Sequence, residues 1–231
     1  VMSQVGVSPP MQQLAEAEAL KTNSFRLHNF GRAATRVRIT VVPFTLDERS
    51  EAVLLPSTDT SIDQWVVVNP TEFEVAAGEA QTVRFSVRPA LPLEPGEHRF
   101  LMVFDEVLGD EPTPGTIRAR FQLRSGVYVQ VGEARRTAEI AAFEGTADGA
   151  TLTVTATGTA HARFDAELVI WPRAAWPGAE ATVRPRREAG KPVLPEGALR
   201  VVTVPGTPVL PGNTQTIRVG LGEPLEPGVY T

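Results

Sequence analysis

The sequence predicts an all-β protein of two tandem sandwich domains, on three observations. Twenty Pro and nineteen Gly punctuate the 231 residues, with short Val-, Thr- and Phe-rich runs between them, as in chains of many short strands joined by turns. Within those runs apolar and polar residues alternate, which puts them on opposite faces of a strand. Two segments of the first half also recur in the second half, in the same order.

Composition narrows the function classes. The 22 basic and 27 acidic residues are interspersed without a basic run, so nothing resembles a nucleic-acid surface. Cysteine is absent, which removes disulfides, thiolate metal sites and thiol nucleophiles. No apolar run approaches the roughly 18 residues of a membrane span. The chain opens Val1-Met2-Ser3 without an apolar targeting segment, a non-Met start compatible with a leader already removed ahead of Val1.

In chain order, Val5 to Ser8 reads as a first strand stopped by Pro9-Pro10, since proline has no N–H for a ladder. Met11 to Lys21, with its Gln-Gln-Leu-Ala-Glu-Ala-Glu-Ala-Leu run, reads as a helical turn or two, or as a loop leading to a strand. Ser24–Asn29 and Thr35–Phe44 alternate and read as a hairpin around Asn29-Phe30-Gly31-Arg32, with Pro43 marking the end of the second strand at an edge. Trp65 to Val68 is a compact apolar strand closed by Asn69-Pro70, a dipeptide open to a cis bond. Phe73–Val75, Thr82–Val87 (Val83, Phe85 and Val87 on one face) and His98–Val107 (Phe100, Met102 and Phe104 on one face) follow. With the strand described next, that is roughly seven strands in about 130 residues, enough for an immunoglobulin-like sandwich.

That strand runs from Ile117 to Val131. Its odd positions are Ile117, Ala119, Phe121, Leu123, Ser125, Val127, Val129 and Val131, and its even positions hold Arg118, Arg120, Gln122, Arg124, Gly126, Tyr128 and Gln130. One face is apolar and the other is rich in Arg and Gln. At roughly 50 Å it is too long for one small sheet. Either it bends at Ser125-Gly126 and serves two sheets, or its second half presents Val127, Val129 and Val131 to something else.

After Gly132 the pattern resumes with Ala138–Phe143, Ala150–Thr157 and Arg163–Trp171, a Pro- and Arg-rich loop from Trp176 to Pro192, then Leu199–Val204, Thr214–Leu221 and Val229 onward. Ala77-Gly78-Glu79-Ala80-Gln81-Thr82-Val83-Arg84 returns as Pro211-Gly212-Asn213-Thr214-Gln215-Thr216-Ile217-Arg218. Leu93-Glu94-Pro95-Gly96 returns as Leu225-Glu226-Pro227-Gly228, and Phe25-Arg26-Leu27 matches Leu152-Thr153-Val154. Two copies are too few for a solenoid. We expect two immunoglobulin-like domains, 1–132 and 133–231. The second copy stops three residues after Gly228, short of two strands, so either the chain continues past Thr231 or another chain supplies the missing edge.

The tandem domains, the Trp65-Val-Val-Val-Asn-Pro70 strand, the Gly78-Glu-Ala-Gln-Thr-Val-Arg84 opening of a strand and the Leu91-Pro92 connection leading to Glu97 together resemble the periplasmic chaperones of chaperone–usher pilus assembly. The resemblance implies an exported, non-enzymatic periplasmic protein without a cofactor. Its long strand would be lent to a secreted pilus-type subunit that lacks its own last strand, with an outer-membrane usher as a further partner. Carried onto this chain, the partner-binding stretch is Val127, Tyr128, Val129, Gln130 and Val131, with Phe121 and Leu123 kept for the chain's own core. The family anchors the subunit's terminal carboxylate with an Arg on the first strand and a Lys on the long strand. Here the first strand has no Arg and Tyr128 matches the Lys, so the basic pair is missing. A tyrosine hydroxyl donates one hydrogen bond but brings no charge. Arg124 or Arg26 are the candidate substitutes.

Other readings are a structural or adhesion module of two sandwiches and, more weakly, a hydrolase using His98 and a carboxylate. His28, His98 and His161 have no metal-ligand spacing, and the neighbouring acids Asp105-Glu106 and Asp110-Glu111 read as a solvated strand end and turn. Trp65, Trp171 and Trp176 read as core or inter-sheet residues.

Overall fold

The computed structural model describes residues 5–108 and 120–231. It is all-β and divides into two compact units: the described residues of Val1–Thr45 and Ala52–Ala134, and Leu46–Glu51 with Arg135–Thr231. The loop Leu46–Glu51 thus clusters with the second unit although it lies within the first in sequence.

The first unit contains β1 (Val5–Ser8), β2 (Met11–Ala15), a single helical turn α1 (Glu16–Ala19), β3 (Asn23–Asn29), β4 (Thr35–Leu46), β5 (Ala52–Leu54), β6 (Val66–Asn69), β7 (Glu72–Val75), β8 (Ala80–Val87), β9 (Gly96–Glu106) and β10 (Gln122–Val131). One sheet has the order β1-β3-β8-β6. The other runs β2-β10-β9-β4-β5, with β7 also on β4. Their facing sides make one core, in which Phe25 stacks on Phe85 with ring centroids 5.5 Å apart and meets Phe104 edge-on at 6.0 Å. Asn69-Pro70 is cis, as its sequence allows.

Three expectations are corrected. Ser24–Asn29 and Thr35–Phe44 are not a hairpin: β3 pairs with β1 and β8, whereas β4 lies in the other sheet, so the turn between them crosses the core. Pro43 does not end its strand. It sits inside β4, where its carbonyl accepts from Leu55 N–H at 2.9 Å and its missing N–H costs one ladder bond. Met11–Ala15 is a strand, leaving only Glu16–Ala19 helical. The chain crosses from one sheet to the other at Pro9-Pro10, and β2 then runs parallel to β10.

The second unit contains β11 (Ala138–Thr146), β12 (Gly149–Ala156), β13 (Ala162–Arg163), β14 (Glu167–Ile170), β15 (Arg187–Glu188), β16 (Lys191–Pro192), β17 (Arg200–Thr203), β18 (Pro208–Val209) and β19 (Thr214–Gly220). One sheet is β11-β12-β19; β13-β18, β14-β17 and β15-β16 are two-stranded. A smaller core of Leu152, Val154, Ala156, Val204, Val209, Ile217 and Val219 lies between them.

The internal repeat is preserved down to single hydrogen bonds. Phe25 faces Val83 and Leu27 faces Gln81; in the second unit Leu152 faces Ile217 and Val154 faces Gln215. Asn29 N–H donates to Glu79 and Gly78 N–H to Asn29, and Ala156 N–H donates to Asn213 and Gly212 N–H to Ala156. Both glycines hold a left-handed conformation, φ +77° and +75°, in open space. The cost of a Cβ there is therefore conformational. Gly78→Ala and Gly212→Ala are each expected to lose about 1–2 kcal/mol, read by denaturant unfolding of the two variants.

Surface ion pairs decorate both units. Glu72 takes Arg38 Nε at 3.0 Å and also Arg36, which hold its carboxyl below the ordinary range. Arg184 does the same for Asp165 and donates Nε to Glu167 at 3.0 Å. A carboxylate lowered in the folded state contributes stability above its unfolded value, roughly pH 4, and loses it as pH falls through the folded value. Midpoints measured from pH 6 to pH 3 should fall on the acid side. Asp165→Asn should reduce that fall, and an identical profile would rule out the contribution.

Candidate functional site

β10 is where the sequence and the structure can be compared residue by residue. It pairs antiparallel with β9 over Gln122–Val131, but β2 covers its other side only from Gly126 to Gln130. The edge of Gln122–Ser125 opposite β9 carries no strand among the described residues. Glu106 N–H donates to the Phe121 carbonyl at 3.2 Å, so odd residues of β10 direct their backbone groups to β9. By alternation Gln122 and Arg124 direct theirs outward.

The residues expected to meet a partner separate into two groups. Val127 and Val129 have no exposure and Val131 has 7%; the first two belong to the unit's own core. Gln130 and Tyr128 lie on the strand's other face, still within the stretch covered by β2. This corrects the assignment of 127–131 as the lent stretch, because those side chains and that edge are already occupied. Phe121 and Leu123, expected to be committed to the core, are only partly buried against it and lie beside the open edge. Ile117, Arg118 and Ala119 fall outside the described residues, as do Asp110 and Glu111.

The two candidate cations do not meet. Arg26 is exposed on β3, between inward-facing Phe25 and Leu27, so it lies on the outer face of one sheet. Arg124 is exposed on the outer face of the other sheet, where its Nε donates to Gln122 Oε1 at 2.8 Å. Gln122 and Arg120 in turn donate to Asp105 Oδ1 at 2.7 and 3.1 Å, so this polar face holds itself together across β9 and β10.

Tyr128 is better placed than either. Its ring meets Phe44 edge-on at 5.9 Å and folds back over Gly126. A Cβ at Gly126 would lie 3.1 Å from the ring and 3.6 Å from the hydroxyl oxygen, so the glycine makes room for it. The hydroxyl thereby reaches the boundary between the covered and open parts of the edge. Arg99 faces Tyr128 across the ladder with 18% side-chain exposure. Burial draws its guanidinium below the ordinary arginine range, against the pull of Glu97 at 3.5 Å. Sequence reading missed Arg99; its position opposite Tyr128 depends on the β9–β10 register.

The weaker readings find little at these positions. His98 Nε2–H donates to the Glu94 carbonyl at 2.7 Å, His28 stacks on Phe30, and His161 is buried. Among the described residues no three metal-ligating side chains cluster, and no helix is long and apolar enough to cross a membrane. Trp65 packs on the core and Trp171 is buried, whereas Trp176 is 39% exposed.

No protein-family model matches the chain, and no curated protein sequence does. Solved structures do match. The YadV chaperone superposes with a TM-score of 0.53 at 13% identity, over 98% of this chain and 90% of that one. The class 5 fimbriae chaperone CfaA gives 0.55 at 10% identity, over 98% and 97%. The chain has the fold of the fimbrial chaperones. A chain of the CsuC–CsuE chaperone–tip adhesion subunit pre-assembly complex of Acinetobacter baumannii gives 0.51 at 14% identity, over 94% and 88%. Coverage near the full length on both sides means that this chaperone fold extends over both units.

Proposed function

We propose that the chain is an exported, non-enzymatic periplasmic chaperone that holds a secreted pilus-type subunit by strand addition at the open edge of β10. The observation that carries this reading is the division of one strand into a covered part, Gly126–Gln130, and an uncovered part, Gln122–Ser125. An added strand needs outward N–H and C=O groups, and the uncovered part offers them. Gln122 and Arg124 provide the backbone groups. Phe121 and Leu123 are the side chains lent, in place of Val127, Val129 and Val131.

At the boundary, the Tyr128 hydroxyl donates to the end of the incoming strand. Arg124 flanks that strand on the outer face, and Arg26 takes no part. The fold shared with fimbrial chaperones, one of them described in a pre-assembly complex with a tip subunit, supports the same reading. An outer-membrane usher would then take over the subunit.

The test is a pull-down from a periplasmic extract of the source organism, with mass spectrometry of what is retained. Retention of a small, β-rich secreted subunit supports the chaperone. Retention of nothing favours a structural module in which β10 serves its own sandwich alone.

A further inference from the structure

The sheet β1-β3-β8-β6 has no Asp or Glu in any of its strands, although the chain holds 27 acidic residues. Register fixes what its outer face carries. Arg26 of β3 lies between Ser8 of β1 and Thr82 of β8, and Arg84 of β8 lies between Ser24 of β3 and Asn69 of β6. Both arginines are exposed. Arg88 is exposed too and has the parity of Arg84; its N–H donates to the Trp65 carbonyl at 2.7 Å, so the ladder reaches it. Arg26 and Arg84 are diagonal neighbours, roughly 7–8 Å apart. Arg88 is four residues further along the strand, roughly 13 Å away. The three cations thus follow β8 in a line, and among the described residues none of them has an ion pair or a side-chain hydrogen bond.

The facing sheet of the same unit treats its arginines differently. Arg36 and Arg38 pair with Glu72, Arg99 with Glu97, and Arg120 with Asp105. β7 shows the pattern that satisfies a row of arginines: Glu72 and Glu74, two residues apart in an extended strand, stand in register with Arg38 and Arg36. On the acid-free face no such segment is present among the described residues. The chain's net charge of -5 means that this positive face is a local feature and not a general excess of arginine.

We propose that this face docks an acidic segment of a partner protein. The segment is extended, has carboxylates at alternate positions and lies along β8, with one carboxylate on Arg26, the next on Arg84 and a later one on Arg88. Alternate residues of an extended chain are roughly 7 Å apart, which matches the spacing of Arg26 and Arg84. Each guanidinium–carboxylate contact is charge-assisted, and Ser8, Ser24, Thr82 and Asn69 add uncharged donors beside them. β3 and β8 are paired along both edges, so recognition here is by side chains and does not depend on strand addition at β10.

The probe is a fluorescent octapeptide of alternating Glu and Ser, beside one with Gln for every Glu, titrated with the 231-residue chain. At about 50 mM salt the Glu peptide is expected to bind at least about tenfold more tightly than the Gln peptide, and at about 0.5 M salt the difference should vanish. Arg26→Gln/Arg84→Gln is expected to lose at least about tenfold of the affinity. Arg36→Gln/Arg38→Gln removes the same charge from the other sheet and should lose less than about threefold. All four arginines are exposed, and thermal unfolding verifies that both double variants fold. Equal losses from the two double variants would mean that net charge alone acts. Equal binding of the two peptides, or binding of neither, would mean that the face takes no acidic segment. Tighter binding to phosphatidylglycerol vesicles than to the Glu peptide, lost in Arg26→Gln/Arg84→Gln, would make it a membrane contact. Each of these three results overturns the proposal.

Discussion

Replacing Phe25 by alanine is expected to destabilise the first unit by about 3–5 kcal/mol, a large part of the roughly 5–15 kcal/mol that holds a typical domain together. Phe25 has no solvent exposure and touches both sheets. It stacks on Phe85 of its own sheet and meets Phe104 of the facing sheet edge-on. Removing the ring deletes its transfer free energy and opens a cavity between β3 and β9 that a two-sheet core closes only in part. Urea unfolding should show the midpoint falling with little change in slope. A loss below about 1 kcal/mol would mean that the sheets collapse onto the gap, against the packing of Phe25 on Phe85 and Phe104.

The second large effect concerns binding rather than stability. Arg124→Pro removes one outward N–H from the uncovered part of β10 while leaving the bonds to β9 in place, because those are made by odd residues. The variant is expected to fold, with an unfolding midpoint within about 5 °C of the wild type, yet to retain at most about a tenth of the partner. Gln130→Pro is the contrasting change. It removes an N–H directed at β2, so it should disturb the fold more and the docking edge less. Full retention by the Arg124→Pro variant would place the contact elsewhere on the molecule.

How far these results were legible in the sequence differs from element to element. Period-two alternation identified β8 with its inward Val83, Phe85 and Val87, and the inward faces of β9 and β10, although Leu101 and Val103 of β9 and Tyr128 of β10 are buried on the other parity. The repeat identified the two units and holds at the level of register, since the turn glycines Gly78 and Gly212 impose the same geometry on both. Sheet membership was not legible. β3 and β4 are adjacent in sequence and both alternate, and nothing local distinguishes a hairpin from a turn that crosses the core. Which half of β10 is free was misread for a related reason. β2 covers 126–130, and its Gln-rich sequence carries helix propensity rather than a strand pattern; only pairing with β10 makes it a strand. Alternation shows which face is apolar, whereas an edge is free or covered according to what another segment does.

The most direct test is amide hydrogen exchange along β10, measured on the chain alone and on the complex captured with its subunit. Strand addition at the uncovered edge predicts strong new protection at Gln122 and Arg124, with Leu123 and Val127 through Val131 nearly unchanged because their amides are already bonded within the unit. Unchanged exchange at Arg124 in the complex, or new protection confined to other strands, would contradict it.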